Sequence, residues 1–353
     1  MRLPAHGRHN LTRILGGAAI CLVVGWLLVK GADDTRQFTV VTLNGLTLAA
    51  LFFVVASGFT LIFGLMRVVN MAHGSLYLLG GYIAFELQKG SFQKGGGGGL
   101  ENLSITSPTG GAGEYNVIGW IVPVLLAALA IGLIGVLIQQ LFLRWNQGQD
   151  LRQALITIAI SVILADQMLA EFGGIAKDIK TPESWPESVT IFGVQYGFFR
   201  LVIVTGAALL VGVALWWLIK RTRFGLIVRA GVDDREMVSA LGINISLVFA
   251  AAFFVGAFLA GIGGGLGGTM VALEPGEDTS FLLNSLIVVI IGGMGSLGGA
   301  AIGALLLGLV DAYADVYLVF GDTDLTNYSI LVTFILLVVV LAVRPLGLFG
   351  RPA

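Results

Sequence analysis

The chain has 353 residues, 56% of them hydrophobic and 12% charged, with a formal net charge of −1. A soluble domain carries about 25% charged residues, and a mean hydropathy of +0.92 is more apolar surface than a water-facing fold can hide. A soluble globular class is excluded, lipid is the expected solvent, and the near-neutral balance supplies no field that would draw nucleic acid.

The N-terminus carries Arg2, Arg8 and Arg13 ahead of an apolar run over 14–29. The run is long for a signal peptide and no A-x-A cleavage site follows it, so it reads as a retained first span. Its Cys21 is the only cysteine, which rules out an internal disulfide and suits a small buried hydrophobe. Further apolar segments lie near 38–63, 71–88, 117–143, 151–172, 198–219, 244–270, 281–294, 299–318 and 327–343. Most reach the ~20 residues a bilayer requires. The 281–294 segment is too short to cross alone. If it turns back with 299–318 as a re-entrant pair, the count falls from ten to about eight. The fold class expected is all-α, a polytopic transmembrane bundle of about 8–10 spans, some short or broken.

Basic residues set the orientation. With the N-terminus in the cytoplasm, Arg67, Arg144, Arg152, Lys220, Arg221, Arg223, Arg229, Arg235, Arg344 and Arg351 fall inside; Lys30, Arg36, Lys89, Lys94, Lys177, Lys180 and Arg200 fall outside. Both termini are therefore expected in the cytoplasm, with an even number of crossings. Two outer loops are long. One holds five consecutive glycines, Gly95 to Gly99, which resist packing. The other, 173–197, sets Trp185 among polar residues, either as an interfacial anchor or as a contact for an outside partner.

The loop between 198–219 and 244–270 is the most informative. It is rich in basic residues and contains a short helix over about 234–241, with Asp233 as N-cap, Glu236 at the capping-box position and Gly242 as the left-handed terminator. Met237 and Leu241 stand four apart on one face, with Ala230 and Ala240 adding small apolar surface. Such an edge either lies on the membrane or docks into a soluble partner; the spacing favours neither.

Glycine is abundant, at 51 residues. Within 244–270, Ala257, Gly261 and Gly265 recur every four residues, as do Ala260, Gly264 and Gly268. These are faces for close helix packing or for a sliding seam. A second cluster, Gly292, Gly293, Gly295, Gly298 and Gly299, interrupts an apolar stretch. Short, glycine-broken segments point to a transport site. The stretch from Gly64 to Ser75 is a loose counterpart and suggests an internal repeat. Polar residues at membrane depth (Asn44, Asn70, His73, Ser75, Asp166, Glu171, Asn284 and Asp311) are expected to face the bundle interior or a wet cavity.

No lysine follows a glycine, so no Walker A phosphate loop exists. There is no G-x-S-x-G, no H-E-x-x-H and no zinc-ligand spacing, and His6, His9 and His73 do not cluster. Neither catalysis, a cofactor nor a metal is expected. An ion-coupled secondary transporter would need convergent carboxylates, and most acidic residues lie in the outer segments.

Residues 61–84, LIFGLMRVVNMAHGSLYLLGGYIA, resemble the N-terminal signature of the LivH-type permeases of branched-chain amino acid ABC importers. The loop residues Arg221, Arg223, Gly225, Arg229, Ala230 and Ala240 to Asn244 are similar to that family's ATPase-touching segment, and 286–303 to its C-terminal glycine motif. The resemblance spans about 40–345. The division expected is a cytoplasmic N-terminal segment and leading span over 1–37, which departs from the family pattern, a permease domain over 38–345 and a short cytoplasmic tail over 346–353. The resemblance implies a second permease subunit (LivM-like or a second copy), two cytoplasmic ATP-binding subunits and a periplasmic binding protein. The loop helix becomes a coupling helix, formed by Arg221, Arg223, Gly225, Arg229, Ala230, Asp233, Glu236, Leu241 and Gly242. Alternating access would pass the solute along Asn44, Asn70, His73, Gly74, Tyr77 and Asn284, with hinges at Gly261, Gly265, Gly292, Gly293, Gly295 and Gly298. The solute class is branched-chain or related amino acids, with urea, amides or small carboxylates as the family's alternatives.

Overall fold

The computed structural model describes residues 34–66, 70–92, 117–146, 148–233, 235–320, 323–324 and 326–350. The leading apolar run and the Gly95–Gly99 loop lie outside these residues. Among the described residues, eleven α-helices make up the bundle: α1 Thr35–Met66, α2 His73–Phe92, α3 Val117–Ile138, α4 Asp150–Phe172, α5 Thr205–Arg221, α6 Arg223–Asp233, α7 Arg235–Ala240, α8 Ile245–Met270, α9 Glu277–Gly292, α10 Leu297–Tyr317 and α11 Ser329–Val343. Two small antiparallel hairpins, Ser188–Ile191 with Val194–Gly197 and Val319–Phe320 with Thr323–Asp324, are the only sheets among the described residues. The all-α reading holds. Among the described residues, six helical stretches are long and apolar enough to cross a membrane: those built on α1, α3, α4, α5, α8 and α10. The chain is a multi-pass membrane protein. Helices α2, α9 and α11 pack beside these six without meeting that measure.

Helix α8 is the axis of the fold, and its glycines explain why. The two small-residue faces seen in the sequence meet two different helices. On one, a Cβ on Gly261 would lie 2.7 Å from Ala128 Cα, and one on Gly265 2.7 Å from a Val124 methyl; across the same seam, a Cβ on Gly135 of α3 would lie 2.5 Å from Ala257 Cβ. This is the contact with α3. On the other, Gly264 abuts the Tyr77 carbonyl and Gly81 of α2, while Gly268 abuts Leu273. In lipid, helices gain little from apolar burial against one another, so close backbone approach and van der Waals contact hold them. Side chains larger than hydrogen have no room at these positions.

Helix α10 lies along α1. Gly308 packs on Ala49, Gly45 on Leu309, and the hydroxyls of Thr42 and Tyr313 are 2.7 Å apart. Helices α4 and α5 are peripheral: only 11% and 22% of their apolar windows are buried, against 78% for α1. They present large apolar residues such as Val162, Ile163, Leu209 and Leu210 outward, which is the composition of a lipid-facing or subunit-facing wall.

The two ends of the bundle differ in charge. One end collects Arg144, Arg152, Lys220, Arg221, Arg223 and Arg344, at the close or start of α3, α4, α5, α6 and α11. There the two glycine turns noted in the sequence meet each other, since a Cβ on Gly64 would lie 3.1 Å from Gly295 Cα. The tail is strapped to the same place, with Leu348 N–H donating to Ile291 O at 2.8 Å and Phe349 N–H to Gly292 O at 3.0 Å.

Candidate functional site

Two helices start inside the bundle instead of at its ends. The first is α2. His73 Nε2 lies 3.0 Å from Val55 O, in the body of α1, and the imidazole meets Phe59 edge-on at 5.4 Å between centroids. Helix α2 therefore begins beside the body of α1, well short of that helix's end at Met66. Asn70 closes the turn that leads into it, its Oδ1 accepting from Ala72 N–H at 3.2 Å and its carbonyl from His73 N–H. The second is α9. After α8 the chain runs extended and turns at Gly276 (φ 103°), so that α9 starts against α2, with Asp278 O packed on Gly74. The short segment that could not cross alone is thus a half-length helix of 16 residues, preceded by extended chain.

Helix N-termini leave unpaired N–H groups and carry partial positive charge. Here the two starts are a residue contact apart. Acidic Glu277 and Asp278 in the first turn of α9 offset that charge. Asp278 is 6% exposed and accepts from Ser75 Oγ at 3.2 Å, and Ser75 in turn meets Ser161 Oγ of α4 at 2.8 Å. Met71 N–H donates to Thr157 Oγ1 of α4 at 3.2 Å. Tyr77 stacks on Phe281 at 4.0 Å, one turn into each helix. Three helices thus converge on one polar junction at mid-bundle. Broken helices whose starts meet at depth are the form that solute sites take in membrane transporters.

Of the expected pathway residues, Asn70, His73, Gly74 and Tyr77 come together at this junction. All are buried within the chain. His73 is fully enclosed, and Asn70 Nδ2 and His73 Nδ1 have no hydrogen-bond partner among the described residues. Asn284 is half-buried further along α9. Asn44 is elsewhere, near the less basic end, where Tyr196 of the Ser188–Gly197 hairpin donates to its Oδ1 at 2.8 Å and meets Thr47 Oγ1 at 2.9 Å. Burial pushes the Tyr196 phenol above its usual range, so it stays protonated and keeps donating. The sequence reading did not find Asp278, Ser161, Thr157 or Tyr196, which carry the contacts between these elements. Among the described residues no group of His, Cys, Asp and Glu is arranged to hold a metal ion.

The second candidate site is the loop at the basic end. It holds two helices where the sequence reading expected one. Helix α6 folds back on the end of α5, so closely that a Cβ on Gly225 would collide with the Ile219 carbonyl. Thr222 makes the corner, its Oγ1 accepting from Gly225 N–H at 3.3 Å. Helix α7 matches the expected short helix and ends at Gly242 (φ 82°) in the left-handed conformation. The side chains of 232–236, which include the expected caps Asp233 and Glu236, lie outside the described set. Val238 is 2% exposed and pins the loop to the bundle, while Leu226, Met237 and Leu241 are 62%, 58% and 70% exposed. Arg221 lies over the Trp216 ring at 5.9 Å, and Arg229 Nε donates to Gly225 O. Arg221, Arg223 and Arg229 are exposed, Ala230 is half-buried and Gly225 buried.

Of the expected hinge glycines, Gly261 and Gly265 sit in the α3–α8 seam. Gly292 abuts Gly299, Gly293 abuts Phe349 and Gly350, Gly295 abuts Gly64, and Gly298 has open space around it.

Residues 41–341 match the family model described as "Branched-chain amino acid transport system / permease component". The chain belongs to this family. Its relatives include the high-affinity branched-chain amino acid transport system permease protein BraD of Pseudomonas aeruginosa, 31% identical over 88% of this chain and 94% of the relative. The LivH proteins of Salmonella typhimurium and Escherichia coli are 28% and 29% identical over the same shares. Among solved structures, PsaBC from Streptococcus pneumoniae in complex with Fab aligns over 90% of this chain and 95% of that chain, with 10% identity and a TM-score of 0.41, a level that carries no argument about shared fold. Family membership places the start of α2 beside the body of α1 and the glycine turn after α9 in a transport-system permease, a class of membrane components and not of enzymes.

Proposed function

We propose that the chain is one permease half of an ABC importer, passing branched-chain or related amino acids from a periplasmic binding protein to the cytoplasm while separate subunits hydrolyse ATP. The observation that carries this reading is the α6–α7 unit in a chain of this family. Two helices, held by a glycine contact at Gly225 and ended by Gly242, present exposed apolar and basic residues at one end of the bundle. Coupling to a motor needs a rigid projection that transmits displacement to the spans on either side, and α5 and α8 flank this one directly. The motor is another chain, because this one has no phosphate-binding loop. In this reading the basic end is cytoplasmic, α6–α7 seats in a groove of the ATP-binding subunit, and a second permease subunit lies against the bundle. The solute passes close to the junction of α2, α4 and α9. Movement of α9 against α2 opens or closes the path, with the glycine seams of α8 as fixed bearings.

The test is uptake of radiolabelled leucine into proteoliposomes holding this chain with its second permease subunit, ATP-binding subunits and binding protein. Uptake is expected only when ATP is present on the motor side and binding protein on the other. Leucine uptake that persists without ATP and collapses with the proton gradient would contradict the proposal and favour an ion-coupled transporter.

A further inference from the structure

A cleft of about 400 Å³ opens between α3, α5, α6 and α8, lined by Val136, Leu218, Phe224, Leu247, Ala251 and Phe254 among others. Every lining residue is apolar. Leu218 and Phe224 bracket the corner where α5 turns into α6, and the residues between them include Lys220, Arg221 and Arg223, all exposed. Of the helices that supply the walls, α3, α5 and α8 contain no aspartate or glutamate, and α6 has one, Asp233, at its far end from the corner. An apolar slot within membrane-crossing helices thus carries an exposed basic edge. The slot suits an acyl chain and the edge an anionic headgroup, and basic pockets between spans are the sites where acidic phospholipids are held. We propose that this cleft is a binding site for an anionic phospholipid, with an acyl chain along Val136, Leu247, Ala251 and Phe254 and the phosphate at Lys220, Arg221 and Arg223.

The position gives the lipid a role. Arg221 already lies over Trp216, and Gly225, two residues beyond Arg223, packs on Ile219. A headgroup bound here braces the corner from which α6 and α7 project. Lipid charge then influences how firmly the projection is held, whatever solute crosses the bundle.

The test uses the purified full chain in detergent with equal amounts of phosphatidylglycerol and phosphatidylcholine of the same acyl chains, and reads the bound lipid by native mass spectrometry. The wild-type chain is expected to retain phosphatidylglycerol preferentially. The combined Lys220→Gln, Arg221→Gln and Arg223→Gln variant is expected to lose that preference by about tenfold or more while still binding phosphatidylcholine. Ala251→Trp, which fills the slot, is expected to lose both lipids. An unchanged preference in the charge variant, or unchanged retention in Ala251→Trp, overturns the proposal. A second measurement stands apart from the folding of either variant. Phosphatidylglycerol with a photoactivatable acyl chain is expected to label peptides from 218–224 and 247–255 of the wild-type chain. Labelling confined to other helices overturns the proposal.

Discussion

The neighbourhoods of α8 and of α6–α7 both depend on glycine, and the dependence differs in kind. Along the second half of α8, the glycines permit backbones to touch turn after turn. Gly261 and Gly265 against α3, and Gly264 against α2, leave no space for a methyl group. In the projecting loop, single glycines act at corners: Gly225 lets α6 fold against α5, and Gly242 ends α7. The first set determines whether a bundle exists. The second determines where one small unit points. Substitutions in the core should cost the fold, whereas substitutions at the corners should cost coupling and leave the fold in place.

The largest effect that comparison predicts is for Gly264→Leu. Its side chain would enter the Tyr77 carbonyl and Gly81, and overpacking of this kind costs about 3 kcal/mol or more, enough that no folded chain is recovered from membranes by size-exclusion chromatography. Gly206→Leu on α5, where nothing lies within 4 Å, is the matched control, and its stability should change by less than about 0.5 kcal/mol. Recovery of both variants in normal amounts would remove the distinction between the two regions. Next is Ser75→Ala, which takes the hydroxyl from Asp278 and Ser161 at the mid-bundle junction. Leaving a buried carboxylate short of a donor costs about 1–3 kcal/mol, read as a lowered Tm in detergent. Gly225→Ala comes third: the chain should insert and survive purification, while ATP-dependent uptake falls about tenfold because α6 is displaced. Smallest are Gly242→Ala, at about 1 kcal/mol for a left-handed alanine, and Tyr196→Phe, at about 1 kcal/mol for the lost bond to Asn44. The former should reduce uptake a few-fold with a slightly lowered Tm. The latter should lower Tm with little change in ATP dependence.

Legibility in the sequence followed the range of the interaction. Helix α8's two faces could be read because a four-residue recurrence of small residues has one meaning on a helix, and each face met a separate neighbour. Helix α7 could be read because its terminator, Gly242, is local. Helix α6 was missed: Gly225 and Gly231 lower helix propensity, and what makes Gly225 acceptable is a contact with Ile219 that exists only once the chain has folded back. The short α9 was visible as too brief for a bilayer, but the extended chain ahead of it was not, since Glu274–Pro–Gly276 has the composition of an ordinary outer turn. The junction itself was only half legible. Asn70, His73, Gly74 and Tyr77 are adjacent in sequence and lie together in space, whereas Asp278 and Ser161 reach Ser75 across more than eighty residues of chain. Asn44, chosen for its polarity and depth, belongs instead to a contact with a hairpin that the sequence pattern did not reveal.

The central claim is that α6–α7 is the grip on a separate ATP-hydrolysing subunit. Site-directed cross-linking in the assembled complex tests it most directly, with Leu241→Cys compared against Phe192→Cys in a Cys21→Ser background. Phe192 is 93% exposed at the tip of the Ser188–Gly197 hairpin, near the opposite end of the bundle. The account predicts that Leu241→Cys cross-links to the ATP-binding subunit, in a yield that changes on ATP binding, and that Phe192→Cys does not. Cross-linking of that subunit at Phe192→Cys, or its absence at Leu241→Cys in a complex that still transports, would contradict the account.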